Sequence, residues 1–397
     1  MMTDHDDNAG PLRVAVVTGS RAEFGLLTPV MEAVRAEAGL ELQVIAAGSH
    51  LVQPALTFRD VRARFEVADT VPMQVAGRTG RFADVEAVAR GVARFGRSFE
   101  RLGPEGVVVL GDRIEAFAAA SAASIGGIAV AHLHGGDVAE GVADESMRHA
   151  ITKLSHLHLA ATRASARRIR LMGERAETIR VVGSPALDGL GSIPEAGDAA
   201  WAEAGEPEVL LLWHPIGSCE DAERDRASRV LAALEGRRVL ALHPNLDPGR
   251  HGVLSALRNA GEGVRVVEHV PRAAFIGLVR RLARTGGVLA GNSSAGLIEA
   301  PALGCATIDI GPRQSGREAP ASVRRVESIE IDAVRAAVDA ALGSGPVEPS
   351  TLYGGGDAGP RAAGALREAG RLGAAGVRKR YADPDADGGP AHGPGAG

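Results

Sequence analysis

The sequence predicts two successive doubly wound α/β units, that is, two facing Rossmann-like domains with a cleft between them. Three observations carry this expectation. Short apolar runs recur along the chain and stop at glycine or at polar residues. Stretches of helical period, several of them Ala-rich, separate the runs, as in sheets whose strands are buried on both faces. One Gly/Pro/Glu-rich stretch, 188–207, splits the alternation into two series and reads as a linker.

Composition removes several classes of function. A 397-residue chain has room for two cores, and 45% hydrophobic with 23% charged residues is ordinary for a globular protein. A formal charge of −5 gives no overall attraction to nucleic acid or to an anionic membrane. Lysine occurs only at Lys153 and Lys379, a bias that accompanies the many Ala, Gly and Arg and reads as a GC-rich coding sequence. Cys219 and Cys305 are isolated, so no disulfide framework and no CxxC zinc site is expected, and a reducing cytoplasm fits. Residues 1–11 lack the basic and apolar parts of a signal peptide and are expected to form a disordered leader. No apolar run reaches the ~20 residues of a membrane span.

The first unit is expected over 12–187. Leu12–Thr18 is a strand, and a glycine-bearing loop, 19–25, leads to a helix from Leu26 to Glu37. A strand, a glycine turn and a helix start offer backbone N–H groups to an anion, although neither GxGxxG nor a Walker A motif is present. Leu40–Ala47 is the next strand; Gln53 to Arg81 reads as polar and irregular; Val85–Arg101 is an amphipathic helix. Val107–Leu110 ends in Gly111-Asp112-Arg113, and Ile128–Leu133 ends in His134-Gly135-Gly136-Asp137. A polar loop then delivers Asp144, Glu145, Arg148 and His149 at helical spacing, before strand His156–Ala161, helix Ala164–Met172 and strand Arg180–Val182. Ligands of such sheets sit outside the carboxyl ends of the strands, which is where Asp112, His134 and Asp144 fall.

The second unit, 208–359, repeats the pattern. Strands Glu208–Trp213, Val239–Leu242, Val264–Val267, Gly287–Ala290 and Ala306–Ile310 alternate with helices Asp221–Leu234, Arg272–Arg284 and Ala295–Leu303. A helix over about 360–381 is expected to rejoin the first unit, and 382–397 is low-complexity and expected to be disordered. The strand ends carry His214, His243 and Asn245, Ser293 and Ser294, and Arg313. Two readings stand for the turn at Gly291: Ser293 is either a plain helix N-cap, or it begins a diphosphate site with Glu299 on a ribose. The spacing His132-x-His134-x-x-Asp137 invites a metal, but no second cluster supplies further ligands, so no metal is expected.

The motifs TGSRAEFGLL, LGDR, HGGD with DESMRHAITKLSHLH, VVGSPALD, HPNLDPG, EHVP, GNSSAGLIEAPALG, GPRQSGRE and LYGGGDAGPRA stand in order from about Val14 to Arg371. On them the chain resembles the UDP-N-acetylglucosamine 2-epimerases, in particular the hydrolysing branch that opens sialic-acid-type biosynthesis. The resemblance implies the glycosyltransferase-B fold, UDP held mainly by the C-terminal domain, a UDP-sugar substrate, no cofactor and a homo-oligomer, dimer or tetramer. It implies catalytic roles for Asp112, His134, Asp144 and His214. Arg21, Gly25, Arg113, Arg148, Asn245, Val270, Ser293, Ser294, Glu299 and Arg313 are implied to bind substrate, with Arg21 and Arg113 toward the diphosphate and Glu299 on the ribose. The implied chemistry is anti elimination of UDP, then water addition with inversion at carbon 2. One departure matters: better-known members carry a glutamate where His134 stands, and the loop to Asp144 is one residue longer here. The division of labour among Asp112, His134 and Asp144, and the identity of the 2-acetamido sugar, stay open at this point. A non-hydrolysing epimerase and a non-catalytic sugar-nucleotide-binding relative are the rival readings.

Overall fold

The structure, a computed structural model, describes residues 10–53, 55–78, 80–138, 145–245, 247–345, 347–370, 379 and 382. They divide into two compact units. The first takes the described residues up to Asp137, Ser146–Pro185 and those from Asp357 onward; the second takes Ala186–Gly356 with Val138 and Glu145.

The first unit runs β1 (Leu12–Thr18), α1 (Arg21–Ala36), β2 (Leu40–Ala47), α2 (Phe58–Arg64), β3 (Val67–Val71), α3 (Arg81–Leu102), β4 (Gly106–Leu110) and α4 (Ile114–Ile125). It continues with β5 (Ala129–Leu133), α5 (Glu145–Leu154), β6 (Leu157–Ala160), α6 (Arg163–Leu171) and β7 (Ile179–Val181). The strands form one parallel sheet in the order β3-β2-β1-β4-β5-β6-β7. Alternate side chains of one strand feed opposite faces. Val14 and Val16 join the core under α1, whereas Ala15 and Val17 join the core that α3 and α4 cover. Burial on both faces is why these strands read as unbroken apolar runs.

Three segments depart from the sequence reading here. Helix α1 starts at Arg21 rather than Leu26, because Ser20 caps it: Ser20 Oγ accepts from Glu23 N at 3.4 Å, and Glu23 Oε2 accepts from Gly19 N at 3.2 Å. That Ser-x-x-Glu arrangement is a variant of the capping box in which the glutamate takes the N–H one residue before the cap. The stretch expected to be irregular before Arg81 holds α2 and β3. Strand β3 is an edge strand, half-buried along most of its length, so it lacks the apolar run that marks its neighbours.

The second unit runs α7 (Asp198–Glu203), β8 (Val209–Leu212), α8 (Glu220–Ala233), β9 (Val239–Leu242), α9 (Arg250–Arg258), β10 (Val264–Val267) and α10 (Arg272–Arg284). Then follow β11 (Val288–Gly291), α11 (Glu299–Ala302), β12 (Ala306–Ile310), β13 (Val323–Val326) and α12 (Ile331–Leu342). Its parallel sheet has the order β10-β9-β8-β11-β12-β13. Val209 and Leu211 face the core of α8, α9 and α12, and Leu210 and Leu212 face that of α10. Part of the stretch expected as linker is structured: α7 buries Trp201 among Leu210, Leu240, Leu278 and Leu282. The helix expected over Ala295–Leu303 is two short pieces, a 3-10 turn Ser294–Gly296 and the single turn α11. The chain ends its described helices with α13 (Ala358–Gly370), which returns to the first unit and packs on α1 through Ala362, Ala363 and Leu366. Among the described residues no helix is long and apolar enough to cross a membrane.

Candidate active site

In each sheet the strand order reverses once, between β1 and β4 in the first and between β8 and β11 in the second. Such switch points leave a crevice at the carboxyl ends of the strands, where ligands of doubly wound sheets bind. Those expected site residues that are described lie at and beside the carboxyl ends of these strands.

At the first switch point the exits of β1 and β4 meet around Arg113. Its Nε lies 3.3 Å from Glu115 Oε2 and 4.0 Å from Glu23 Oε2, and its side chain stays 40% exposed. Glu115 is fully buried, and its Oε1 accepts from Gln74 Nε2 at 3.2 Å. A Cβ on Gly19 or Gly48 would come within 2.6 Å or less of Glu115, so the two glycines leave the space this carboxyl fills. Burial, then the Glu115 charge, push Glu23 up to about 8 against the pull of Arg113, Ser20 and Gly19. Beside them, His50 bridges Thr18 Oγ1 at 3.0 Å and Thr57 Oγ1 at 2.7 Å, and burial brings it down to about 4. Arg113 therefore enters the site with two carboxyls at its back. Neither Glu23 nor Glu115 was among the expected site residues. The signal was there in Ser20-x-x-Glu23 and in a single charge inside the apolar run 114–125.

Arg21 is exposed at the first position of α1, and Gly25 lies half-buried in its second turn with open space beside its Cα. The loop of free amides expected over 19–25 is thus largely helix, and its Gly19 N–H is taken by Glu23. Asp112 does not pair with its neighbour Arg113. Its Oδ2 meets Arg148 Nη2, delivered from α5, and Arg148 Nη1 also donates to Asp137 O at 3.0 Å. Arg148 is 7% exposed and Asp112 22% exposed, so the carboxylate keeps one side open. Asp144 lies outside the described residues.

The exit of β5 holds a second constellation. His134 sits at φ 60°, in the left-handed region that few non-glycine residues adopt. Its Nδ1 is 2.9 Å from Asp137 Oδ2, and its Nε2 is 3.1 Å from Ser184 Oγ, which follows β7. Ser165 Oγ donates to Asp137 Oδ1 at 2.7 Å. All four side chains are buried. The turn is fixed by Gly136 at φ 73°, where a Cβ would stand 2.3 Å from Ser165 O. His132, the other half of the spacing that invited a metal, is committed elsewhere: Nε2 to Gly111 O at 2.8 Å and Nδ1 to Thr152 Oγ1 at 3.2 Å. Burial brings it down to about 3, so it is neutral.

At the second switch point, Asn292 ties the exits of β8 and β11 together. His214 N donates to its Oδ1 and its Nδ2 donates to His214 O, both at 2.8 Å. Asn245 N donates to His214 Nδ1 at 3.2 Å, which leaves the ring proton on Nε2. Burial, and then Arg313, bring His214 down to about 3, so it meets a ligand as a neutral hydrogen-bond donor and not as a cation. Asn245 Nδ2 donates to Asp247 Oδ2 at 2.5 Å, and Arg313 reaches that same oxygen at 3.5 Å and Asn292 O at 3.2 Å. Ser293 Oγ accepts from Ala295 N at 3.4 Å, which is the N-cap role, and Ser294 opens the 3-10 turn. With no regular helix behind them, these serines offer hydroxyls and amides, and the helix dipole expected there is weak. Glu299 is the first residue of α11 and pairs with Arg272 at 3.5 Å; burial raises its carboxyl despite that arginine. Val270 joins β10 to α10 and lines a cavity of about 530 Å³ with Leu240, Val267, Leu278, Arg265 and His269.

Residues 32–367 match the family model described as UDP-N-acetylglucosamine 2-epimerase. A UDP-N,N'-diacetylbacillosamine 2-epimerase (hydrolyzing) of Legionella pneumophila is 32% identical over 87% of this chain and 92% of its own. A UDP-N-acetylglucosamine 2-epimerase of Neisseria meningitidis is 29% identical over 87% and 91%. Among solved structures, a UDP-GlcNAc 2-epimerase from Neisseria meningitidis bound to UDP-GlcNAc superposes with a TM-score of 0.72, at 17% identity, over 90% of this chain and 100% of that one. At that identity the likeness is one of fold.

Proposed function

The chain belongs to the UDP-N-acetylglucosamine 2-epimerase family, and from that premise we propose that it is a hydrolysing epimerase, converting a UDP-linked 2-acetamido sugar and water to the free 2-epimer and UDP. The observation that carries the reading is the pairing at the exits of β4 and β5. A carboxylate with one open side, Asp112, stands on Arg148, and a buried imidazole, His134, stands on Asp137. Elimination needs a base for the carbon-2 proton while the carbon-1–oxygen bond breaks and UDP leaves with its electrons. Hydration needs an acid that returns a proton to carbon 2 from the other face and a base that takes a proton from water as its oxygen bonds to carbon 1. Asp112, His134 and Asp144 are the groups we assign to these transfers.

The nucleotide is assigned to the second unit. Ser293, Ser294, Arg313 and His214 Nε2–H present donors suited to a diphosphate; Arg21 and Arg113 of the first unit are assigned to substrate binding by the family resemblance. Glu299, held by Arg272, is assigned to the ribose, Val270 to the base, and Asn245 to holding His214. The word "hydrolyzing" in the description of the Legionella relative supports release of the free sugar, and its substrate favours a second reading of the sugar, a 2,4-diacetamido-trideoxy one.

Asp112→Asn is the test. The amide keeps the shape but takes no proton. The expected outcome is a fall in turnover of at least ~100-fold with UDP affinity unchanged, the latter checked by calorimetry. Retained turnover would remove Asp112 from the chemistry.

A further inference from the structure

We propose that Asp137 and Ser184 are positioning residues that lock His134 as the Nδ1–H tautomer and aim its Nε2 lone pair as the proton acceptor of the site. The proposal rests on the hydrolysing-epimerase reading for its chemistry, but the lock itself stands on geometry alone. A carboxylate accepts and does not donate, so the 2.9 Å contact between Asp137 Oδ2 and His134 Nδ1 places a proton on Nδ1. The lone pair of the neutral ring is then on Nε2, where Ser184 Oγ, at 3.1 Å, donates to it. Ser165 Oγ, at 2.7 Å from Asp137 Oδ1, holds the carboxylate in the plane that serves the ring.

The backbone is arranged to keep this geometry. His134 takes its left-handed φ at the end of β5, with its amide bonded to Leu159 O at 3.2 Å. Gly136 lets the turn close onto α6, which carries Ser165. Ser184 comes from the exit of β7, between Gly183 and Pro185. Residues from the ends of β5 and β7 and the start of α6 thus converge on one imidazole. Backbone conformations of this kind persist where the surroundings over-determine them, and they cluster at functional sites.

The arrangement explains how an imidazole serves where better-known members carry a carboxylate. When the Ser184 hydroxyl passes its proton to Nε2 and its oxygen takes one from the substrate side in exchange, the ring becomes an imidazolium, and the charge of Asp137 at Nδ1 stabilises it, as the acid of a Ser-His-Asp triad does for its histidine. Without Asp137 the ring is free to carry its proton on the wrong nitrogen.

The test is Asp137→Asn, read in two ways. Because Ser165 donates to Oδ1, the new amide turns its NH₂ toward His134 Nδ1 and forces the proton to Nε2. Long-range ¹⁵N–¹H correlation spectra of histidine-labelled protein, with His134→Gln to assign the ring, are expected to show Nδ1–H in the wild type and Nε2–H in Asp137→Asn. With a UDP-linked 2-acetamido sugar, kcat is expected to fall ~100-fold or more while KM stays within ~3-fold. Ser184→Ala is expected to lower kcat ~10-fold and Ser184→Thr, which keeps the hydroxyl, to restore it. An Nε2–H ring in the wild type, or undiminished kcat in Asp137→Asn, overturns the proposal. Failure of the wild type to release UDP from any such sugar sinks the epimerase reading instead, and the spectra still decide the tautomer.

Discussion

Glu23 shows how a single residue serves the fold and the site at once. Its carboxyl closes the capping box of α1 and also stands behind Arg113, facing the buried Glu115. A carboxyl raised to about 8 binds its proton more tightly folded than unfolded. Its contribution to stability is present below the ordinary glutamate value of 4.5 and is lost as pH rises through about 8. Glu23→Gln keeps the hydrogen-bond acceptor and removes the titration. Urea unfolding is therefore expected to find the variant gaining on the wild type between pH 5 and pH 9; two curves that stay parallel across that range would contradict the assignment. The sequence marked Asp112, Arg113, Arg148 and His134 because strand ends in a parallel sheet point to ligands. It did not reveal which partner each residue takes: Asp112 passes over Arg113 for Arg148, thirty-six positions on. Long-range pairings of this kind depend on the packing of α5 against the sheet and leave no local pattern.

At the scale of elements, local chemistry decided what was legible. Buried strands such as Val107–Leu110 and Val239–Leu242 stand out because both faces are apolar. The edge strands β3 and β13 do not, since their burial is partial. The short helix α9 was missed for a different reason, beginning as it does in the Gly/Arg/His-rich stretch after Pro248. The turn after β5 is the element on which the imidazole depends. Ala at Gly136 must hold a φ of 73° and place its Cβ 2.3 Å from Ser165 O and 2.7 Å from Ile169 Cγ1. Gly136→Ala is expected to cost about 2–4 kcal/mol in equilibrium unfolding, from strain and overpacking together. A loss below ~0.5 kcal/mol would mean that the turn tolerates a side chain and does not hold His134 rigidly.

For the whole molecule, two parallel sheets, each reversing its strand order once, follow one another along the chain. That plan was readable from alternation alone. Helix α13 packs on α1 of the first unit, although a helix of Ala and Gly with few charges carries no local mark of which core it joins. On the proposed function this chain releases a free, epimerised sugar. An NMR time course in heavy water with UDP-N-acetylglucosamine and, in parallel, a UDP-linked 2,4-diacetamido-trideoxy sugar tests this. The expected products are UDP together with the free manno-configured sugar, carrying deuterium at carbon 2, from at least one of the two. A product still linked to the nucleotide, or UDP release without deuterium at carbon 2, would contradict it.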